Sequence, residues 1–276
     1  MKAMPRTFGY FEIHSFADPS RPHSGNPAGV VLMDEFLADA ELLGIANSNN
    51  LSETAFIVPR GEDCWHLRWF TPAIEVDLCG HATFAAGAVV LEEGLVKGRS
   101  ATFDTRSGRL AVSRDNTGDG YAMDLPSISF EPADHAPALE AALGLNASPE
   151  AVFDVTQIHG ARYQMWVVAD EAAVRRAEPD HGKLRSVGTN VILTAPGEHT
   201  DFVSRFFAPA SGVDEDPVTG SAHCTLAPYW GDRLDKMRLS ARQIGPRPGA
   251  LDVAPKGGRV TLYGHAPRYL EGRIRV

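Results

Sequence analysis

Arg68-Trp69-Phe70-Thr71-Pro72-Ala73-Ile74-Glu75-Val76-Asp77 reads as an aromatic strand that runs into a proline loop and then a turn. Arg205-Phe206-Phe207-Ala208-Pro209-Ala210-Ser211-Gly212-Val213-Asp214 repeats it, with Arg, Phe, Pro, Ala, Val and Asp in the same places. The offset is 137 residues (68 to 205), close to half of the 276-residue chain. Each copy leads into a helix rich in small residues, over 80–93 in the first and from 221 to 230 in the second. Self-similarity at a fixed long offset marks a repeated structural unit. We read the chain as a duplicated unit of mixed α/β (α+β) class.

Outward from these stretches, apolar runs bounded by turn residues predict strands at 8–16, 28–32, 53–58 and 65–70, with a helix over 37–48. Further strands are expected at 101–105, 110–114 and 121–125, separated by Ser107-Gly108 and the turn residues 115–120. In the second half the pattern predicts strands at 152–158, 163–169, 191–194, 202–207, 238–243, 251–254, 259–263 and 269–276. Residues 126–137 hold three prolines and little pattern, so the halves are set at 1–128 and 129–276, with the last strand able to return to the first half. In a duplicated chain the cleft between halves is the expected ligand site. Cys79-Gly80-His81-Ala82-Thr83 opens the first helix and Asp216-Pro217-Val218-Thr219-Gly220-Ser221-Ala222 the second. Two helix N-termini at one cleft would offer backbone N–H groups and positive dipole ends to a small carboxylate.

Composition narrows the classes. The apolar fraction of 43% and charged fraction of 22% are those of a folded soluble chain. A formal net charge of −9 repels phosphate backbones and anionic lipid, so neither nucleic acid nor a membrane surface is an expected partner. The longest uncharged apolar stretch, near 82–91, is too short to cross a bilayer. The start, Met1-Lys2-Ala3-Met4-Pro5-Arg6-Thr7, lacks the apolar core of an export signal. Three cysteines, Cys64, Cys79 and Cys224, form no disulfide pattern, and a reducing cytoplasm is the simplest compartment. No dinucleotide fingerprint, phosphate-binding loop or serine nucleophile elbow is present, which argues against nucleotide cofactors and hydrolase chemistry.

Three residues stand out for chemistry. Glu53 shares the strand face of Leu51, Ala55 and Ile57, where a desolvated carboxylate is suited to proton transfer. The local sequence equally allows an exposed acid at a strand end. His81 lies in the first turn of a helix, where the dipole favours a neutral imidazole, or else it is a surface or capping residue. Asp216 reads first as the N-cap of the second helix and alternatively as a carboxylate aimed into the cleft. The offset of 137 sets Asp216 opposite Cys79, which disfavours a pair of catalytic thiols and leaves a two-base racemase using Cys79 and Asp216 as a competing reading. The spacings of Cys79, His81, His223 and Cys224 fit no standard zinc pattern, and no metal is expected.

Taken in order, Gly25-Asn26-Pro27-Ala28, Asn50-Leu51-Ser52-Glu53-Thr54-Ala55-Phe56, Phe70-Thr71-Pro72, Cys79-Gly80-His81-Ala82-Thr83, Thr105-Arg106-Ser107-Gly108 and Glu215-Asp216-Pro217-Val218-Thr219-Gly220-Ser221-Ala222 resemble the phenazine-biosynthesis isomerase (PhzF-like) family over nearly the whole chain. The resemblance implies the diaminopimelate-epimerase fold: two pseudo-symmetric halves, each a curved mixed sheet around a central helix, with the site between them. It implies an isomerase without cofactor, with Glu53 as general acid/base and His81 and Asp216 positioning substrate. Gly80, Gly220 and Ser221 match positions at the helix starts near the substrate, and Ser52 and Asn26 fall in matching substrate-binding segments. In the phenazine enzymes the substrate is a dihydro-hydroxyanthranilate, whose proton the glutamate moves along a conjugated ring. The partners expected here are a small carboxylate and a second copy of the chain. The competing class is a small-acid binding protein without turnover. Two departures stand out. Cys79-Gly80-His81-Ala82 replaces the Ala-Gly-His-Pro of the phenazine enzymes, and Gly245-Pro246-Arg247-Pro248-Gly249 replaces a Ser-x-Arg-Gly-Gly segment common in relatives.

Overall fold

The computed structural model describes residues 5–116, 120–156 and 161–276. Its contacts divide the chain into two units, Met1–Asp124 with Tyr263–Val276, and Leu125–Leu262.

In the first unit, β1 (Thr7–Ser15) pairs antiparallel with β2 (Asn26–Leu32). Gly25 makes the turn into β2 possible: its φ is +82°, and a Cβ there would meet the Ser15 carbonyl oxygen at 2.8 Å. Helix α1 (Asp39–Asn49) follows, burying Leu42, Ile45 and Ala46 against Val31, Phe56 and Phe70. Strand β3 (Glu53–Gly61) then lies parallel to β2, and β4 (Cys64–Phe70) turns back antiparallel to β3. Thr54, Ala55, Phe56 and Ile57 are all buried, as in a strand covered on both faces. The two-residue β5 (Glu75–Val76) leads into helix α2 (Gly80–Glu92). β6 (Ser100–Thr105) runs parallel to β4, and β7 (Gly108–Arg114) and β8 (Tyr121–Pro126) extend the sheet.

Helix α2 is the centre of this unit. Every residue from His81 to Leu91 is buried, and the helix touches β1, β2, β3, β6 and β7. A helix apolar on all sides belongs in a core. Its small residues let the strands close around it. At Gly87 a Cβ would stand 2.3 Å from Val112 of β7, so no larger residue fits without movement.

The second unit runs β9 (Phe130–Pro132), α3 (Pro137–Leu143), β10 (Ala151–Val155), β11 (Arg162–Val167), α4 (Glu171–Arg176), α5 (His181–Val187), β12 (Thr189–Pro196) and β13 (Phe202–Ala208). A 3-10 turn (Pro209–Ser211), β14 (Val213–Asp216), helix α6 (Gly220–Leu234), β15 (Leu239–Gln243), β16 (Gly249–Lys256) and β17 (Arg259–Gly264) complete it. The pairing pattern of the first unit recurs: β10 antiparallel to β11, β11 parallel to β12, β12 antiparallel to β13, β13 parallel to β15, β15 antiparallel to β16. Its core gathers Leu139, Trp166, Val174, Leu184, Leu193 and Phe207. The last strand, β18 (Arg268–Arg275), pairs antiparallel with β1.

The mixed α/β class holds, and most expected strands sit within a few residues of their place. The differences have local causes. The loop-rich stretch 126–137 contains β9, which pairs with β10. Short helices α3, α4 and α5 fill connections that carried no helical period. Residues 157 and 158 of the expected strand 152–158, and 117–119 of the expected turn, lie outside the described residues.

Candidate functional site

In the first unit the chain brings several expected site residues together. Glu53 opens β3 beside Ala28 of β2, with Ala55 and Ile57 buried further along, while Leu51 precedes the strand. Its carboxylate Oε2 stands 3.2 Å from Nε2 of His81, and only 17% of the side chain is exposed. This is a close approach rather than an aligned hydrogen bond. His81 is the second residue of α2 and is buried, which pushes its imidazole down to about 4 and keeps it uncharged near neutrality. The other ring nitrogen, Nδ1, faces Sγ of Cys79 at 3.5 Å. Cys79 is the helix N-cap, yet its side chain makes no capping hydrogen bond. Its carbonyl accepts from the Thr83 hydroxyl (2.6 Å) and the Thr83 N–H (3.1 Å).

Asn26 and Ser52 lie at the same end of the sheet, with the Ser52 hydroxyl donating to Asn26 Oδ1 at 3.5 Å. Ser15, paired with Asn26 across β1 and β2, donates its hydroxyl to the His81 carbonyl at 2.7 Å. That buried hydroxyl anchors the start of α2, and the sequence reading did not single it out. Gly80 is the first residue of the helix.

In the second unit Asp216 ends β14 instead of capping α6. The N-cap is Thr219, three residues later, so the capping expectation is corrected. The Thr219 side chain makes no capping hydrogen bond and donates to the Asp216 carboxylate. Gln243, buried on β15, fastens this turn. Its carbonyl accepts from the Thr219 N–H (2.9 Å), and its amide donates to the Asp216 carbonyl (2.5 Å) and to Thr219 Oγ1 (3.3 Å). Glu215, next to Asp216, takes two hydrogen bonds from Arg205, at 2.7 and 2.8 Å. Gly245 packs against it, since a Cβ there would come 2.5 Å from Glu215 Oε1. The departing 245–249 segment therefore bears on the carboxylate turn. Gly220 and Ser221 open α6.

The strand registers also correct the repeat. Arg68 grips Glu75 at 2.7 Å through both nitrogens, as Arg205 grips Glu215. Trp69 pairs with Val76, and Phe206 with Asp216. The offset is 137 up to the arginine strand and 140 beyond it (75 to 215, 79 to 219), because the second copy carries the extra 3-10 turn. Asp216 thus corresponds to Val76, and the counterpart of Cys79 is Thr219. The alignment that set Cys79 against Asp216 is out by three residues.

Among the described residues, Glu53, Cys79 and His81 place one donor atom each within 4.8 Å of the others, the spread of a metal site. The imidazole turns Nδ1 to the thiol and Nε2 to the carboxylate. An ion on either nitrogen would have to displace one of these contacts.

The family model described as phenazine biosynthesis-like protein, PhzC-PhzF, matches residues 13–272. An uncharacterized isomerase of Pseudomonas aeruginosa is 45% identical over 269 residues, covering 97% of this chain and 98% of its own. A solved phenazine biosynthesis protein of the PhzF family from Enterococcus faecalis superposes with a TM-score of 0.89 at 38% identity, covering 98% of this chain and 100% of its own. A hydroxyproline epimerase from Agrobacterium vitis shares the fold at a TM-score of 0.63 and 11% identity, over 98% of this chain and 93% of its own.

Proposed function

The chain belongs to the PhzC-PhzF family of phenazine biosynthesis-like proteins, and we propose that it is a cofactor-independent isomerase in which Glu53 moves a proton on a small carboxylate substrate. The observation that carries this reading is the 3.2 Å approach of Glu53 to a buried, uncharged His81. A neutral imidazole can steady a carboxylate by hydrogen bonding without holding it permanently ionised, as a fixed cation would. The carboxylate can then take a proton from carbon and return it elsewhere. His81 and Asp216 are read as positioning groups, with Asn26, Ser52, Gly80, Gly220 and Ser221 lining substrate. Neither helix N-cap spends its side chain on capping, which suits the starts of α2 and α6 to a substrate carboxylate. The three cysteines are thiols, in keeping with a reducing cytoplasm. Among the described residues, no helix is long and apolar enough to cross a membrane.

The test is solvent-deuterium incorporation into a panel of small unsaturated and 2-substituted carboxylic acids. Incorporation by the native protein that vanishes in Glu53→Gln, with binding by thermal shift retained, is expected. Binding without incorporation across the panel would favour the non-catalytic alternative.

A further inference from the structure

We propose that Cys79 is a positioning residue that sets the tautomer of His81, so that His81 presents an N–H to Glu53. The inference rests on the reading of Glu53 as acid/base, and it adds a role for the thiol that distinguishes this chain from the Ala-Gly-His-Pro pattern.

The geometry is a compact cluster of three groups, one donor atom of each within 4.8 Å of the others. Sγ of Cys79 lies 3.5 Å from Nδ1 of His81, and Nε2 of the same ring lies 3.2 Å from Oε2 of Glu53. The ring is buried and sits at the positive end of α2, so it carries one ring proton, not two. Which nitrogen holds that proton is decided by what each nitrogen faces. A thiol is a donor, though a weak one, and an ionised carboxylate can only accept. The arrangement that suits all three is S–H donating to Nδ1, which leaves the ring proton on Nε2, the nitrogen next to Oε2. The backbone holds the thiol in place, because the Cys79 carbonyl is bound twice by Thr83. The thiol belongs to the N-cap residue, and its Sγ lies within hydrogen-bond reach of the ring.

The same tautomer serves both steps of a proton shift. The base takes the substrate proton on its other oxygen, while Oε2 stays beside the protonated Nε2. That proton then returns to a second carbon of the substrate. No proton is gained or lost, and the imidazole never has to change state. The second unit shows a different use of the equivalent place, where Thr219 turns its hydroxyl to the Asp216 carboxylate.

Long-range proton–nitrogen correlation spectra of the substrate-free protein at neutral pH read the tautomer directly, with His81→Gln supplying the assignment. The expected pattern is a protonated Nε2 and a bare Nδ1 in the native protein. It should be retained in Cys79→Ser, whose hydroxyl can also donate. It should be lost in Cys79→Ala, with the proton moving wholly or partly to Nδ1. A native protein with the proton on Nδ1, or with both nitrogens protonated beside a thiolate, overturns the proposal. So does an unchanged Nε2–H pattern in Cys79→Ala. None of these spectra depends on turnover. A Glu53→Gln variant that still incorporates deuterium would therefore remove the functional reading and leave the tautomer result standing.

Discussion

The two halves of this molecule share a scaffold and differ at the positions proposed for chemistry. Where β3 opens with Glu53, β12 has Asn190 at the matching register. The amide is fully buried and holds the extra turn, donating to Ser211 Oγ at 2.7 Å and accepting from the Ala210 N–H at 3.1 Å. At the helix starts, Cys79 and His81 correspond to Thr219 and Ser221, and Thr83 to His223. That last pair does one job with different chemistry. Thr83 donates to the Cys79 carbonyl at 2.6 Å, and the His223 ring contacts the Thr219 carbonyl at 2.8 Å. Duplication has kept the bonds that fix each helix start and changed what the helix start presents. The first half sets Cys79 and His81 beside Glu53, and the second spends Asn190, Thr219 and Gln243 on holding a turn.

Changes that make one half resemble the other put this contrast at risk. The largest effect belongs to Glu53→Gln, which copies the amide of the second half. If Glu53 is the acid/base proposed, its loss costs about 10²–10⁴-fold in rate, read as deuterium incorporation into a substrate from the panel. Asn190→Ala, by contrast, should act on stability, by about 1–3 kcal/mol, as buried partners lose their hydrogen bonds. A Glu53→Gln variant of near-native activity would end the claim that the halves have divided their labour.

Next comes acid. Burial pushes both His81 and His223 down to about 4. The unfolded chain takes up these protons first, near pH 6.5, so the stability they contribute is full above that value and is lost on acidification. Each histidine should lower stability progressively as the pH falls from 6.5 to about 4. Urea midpoints measured across this window should flatten in steps in His81→Gln and His223→Gln, one share for each half. Parallel curves for the native and variant proteins would contradict the burial argument.

A smaller effect tests the packing of the central helices. Gly87 of α2 corresponds to Ala227 of α6, where a methyl group is already buried. Gly87→Ala should lower stability by about 1–3 kcal/mol through overpacking on Val112, and Val112→Ala should recover part of it in thermal melts. The smallest effect is expected from Thr83→Val. It removes one of two hydrogen bonds on the Cys79 carbonyl, and denaturation should register about 1 kcal/mol or less.

Much of this was open to reading in the chain itself. The run of small residues after Gly80 announces a helix buried on all sides, and Glu53 heads an apolar strand. The inserted turn escaped because Pro209-Ala210 imitates Pro72-Ala73, so the two copies align by letter just where their backbones diverge. Side-chain pairing, Arg68 to Glu75 and Arg205 to Glu215, carries the true register, and that information is not local. Helices α4 and α5 are six and seven residues long, too short for an apolar period to show. Their ends were nonetheless marked, with Asp170 and Asp180 accepting from backbone N–H groups and Gly188 closing α5 at φ +72°. The role of Gln243 had no sequence signal, since it depends on β15 lying beside β13.

Strand β18 has a consequence for how the molecule is made. Thr7 pairs with Arg275, and the register continues along β1. The edge of the first sheet therefore stays open until nearly all of the sequence has been synthesised. The segment Leu125–Leu262 is contiguous and forms one compact unit. On a growing chain, the part made later can finish folding before the part made earlier. Closing β1 onto β18 then spans almost the entire sequence, the kind of distant pairing that slows folding. Until it happens, β1 is an open strand edge, the place where a nascent chain is most exposed to wrong partners.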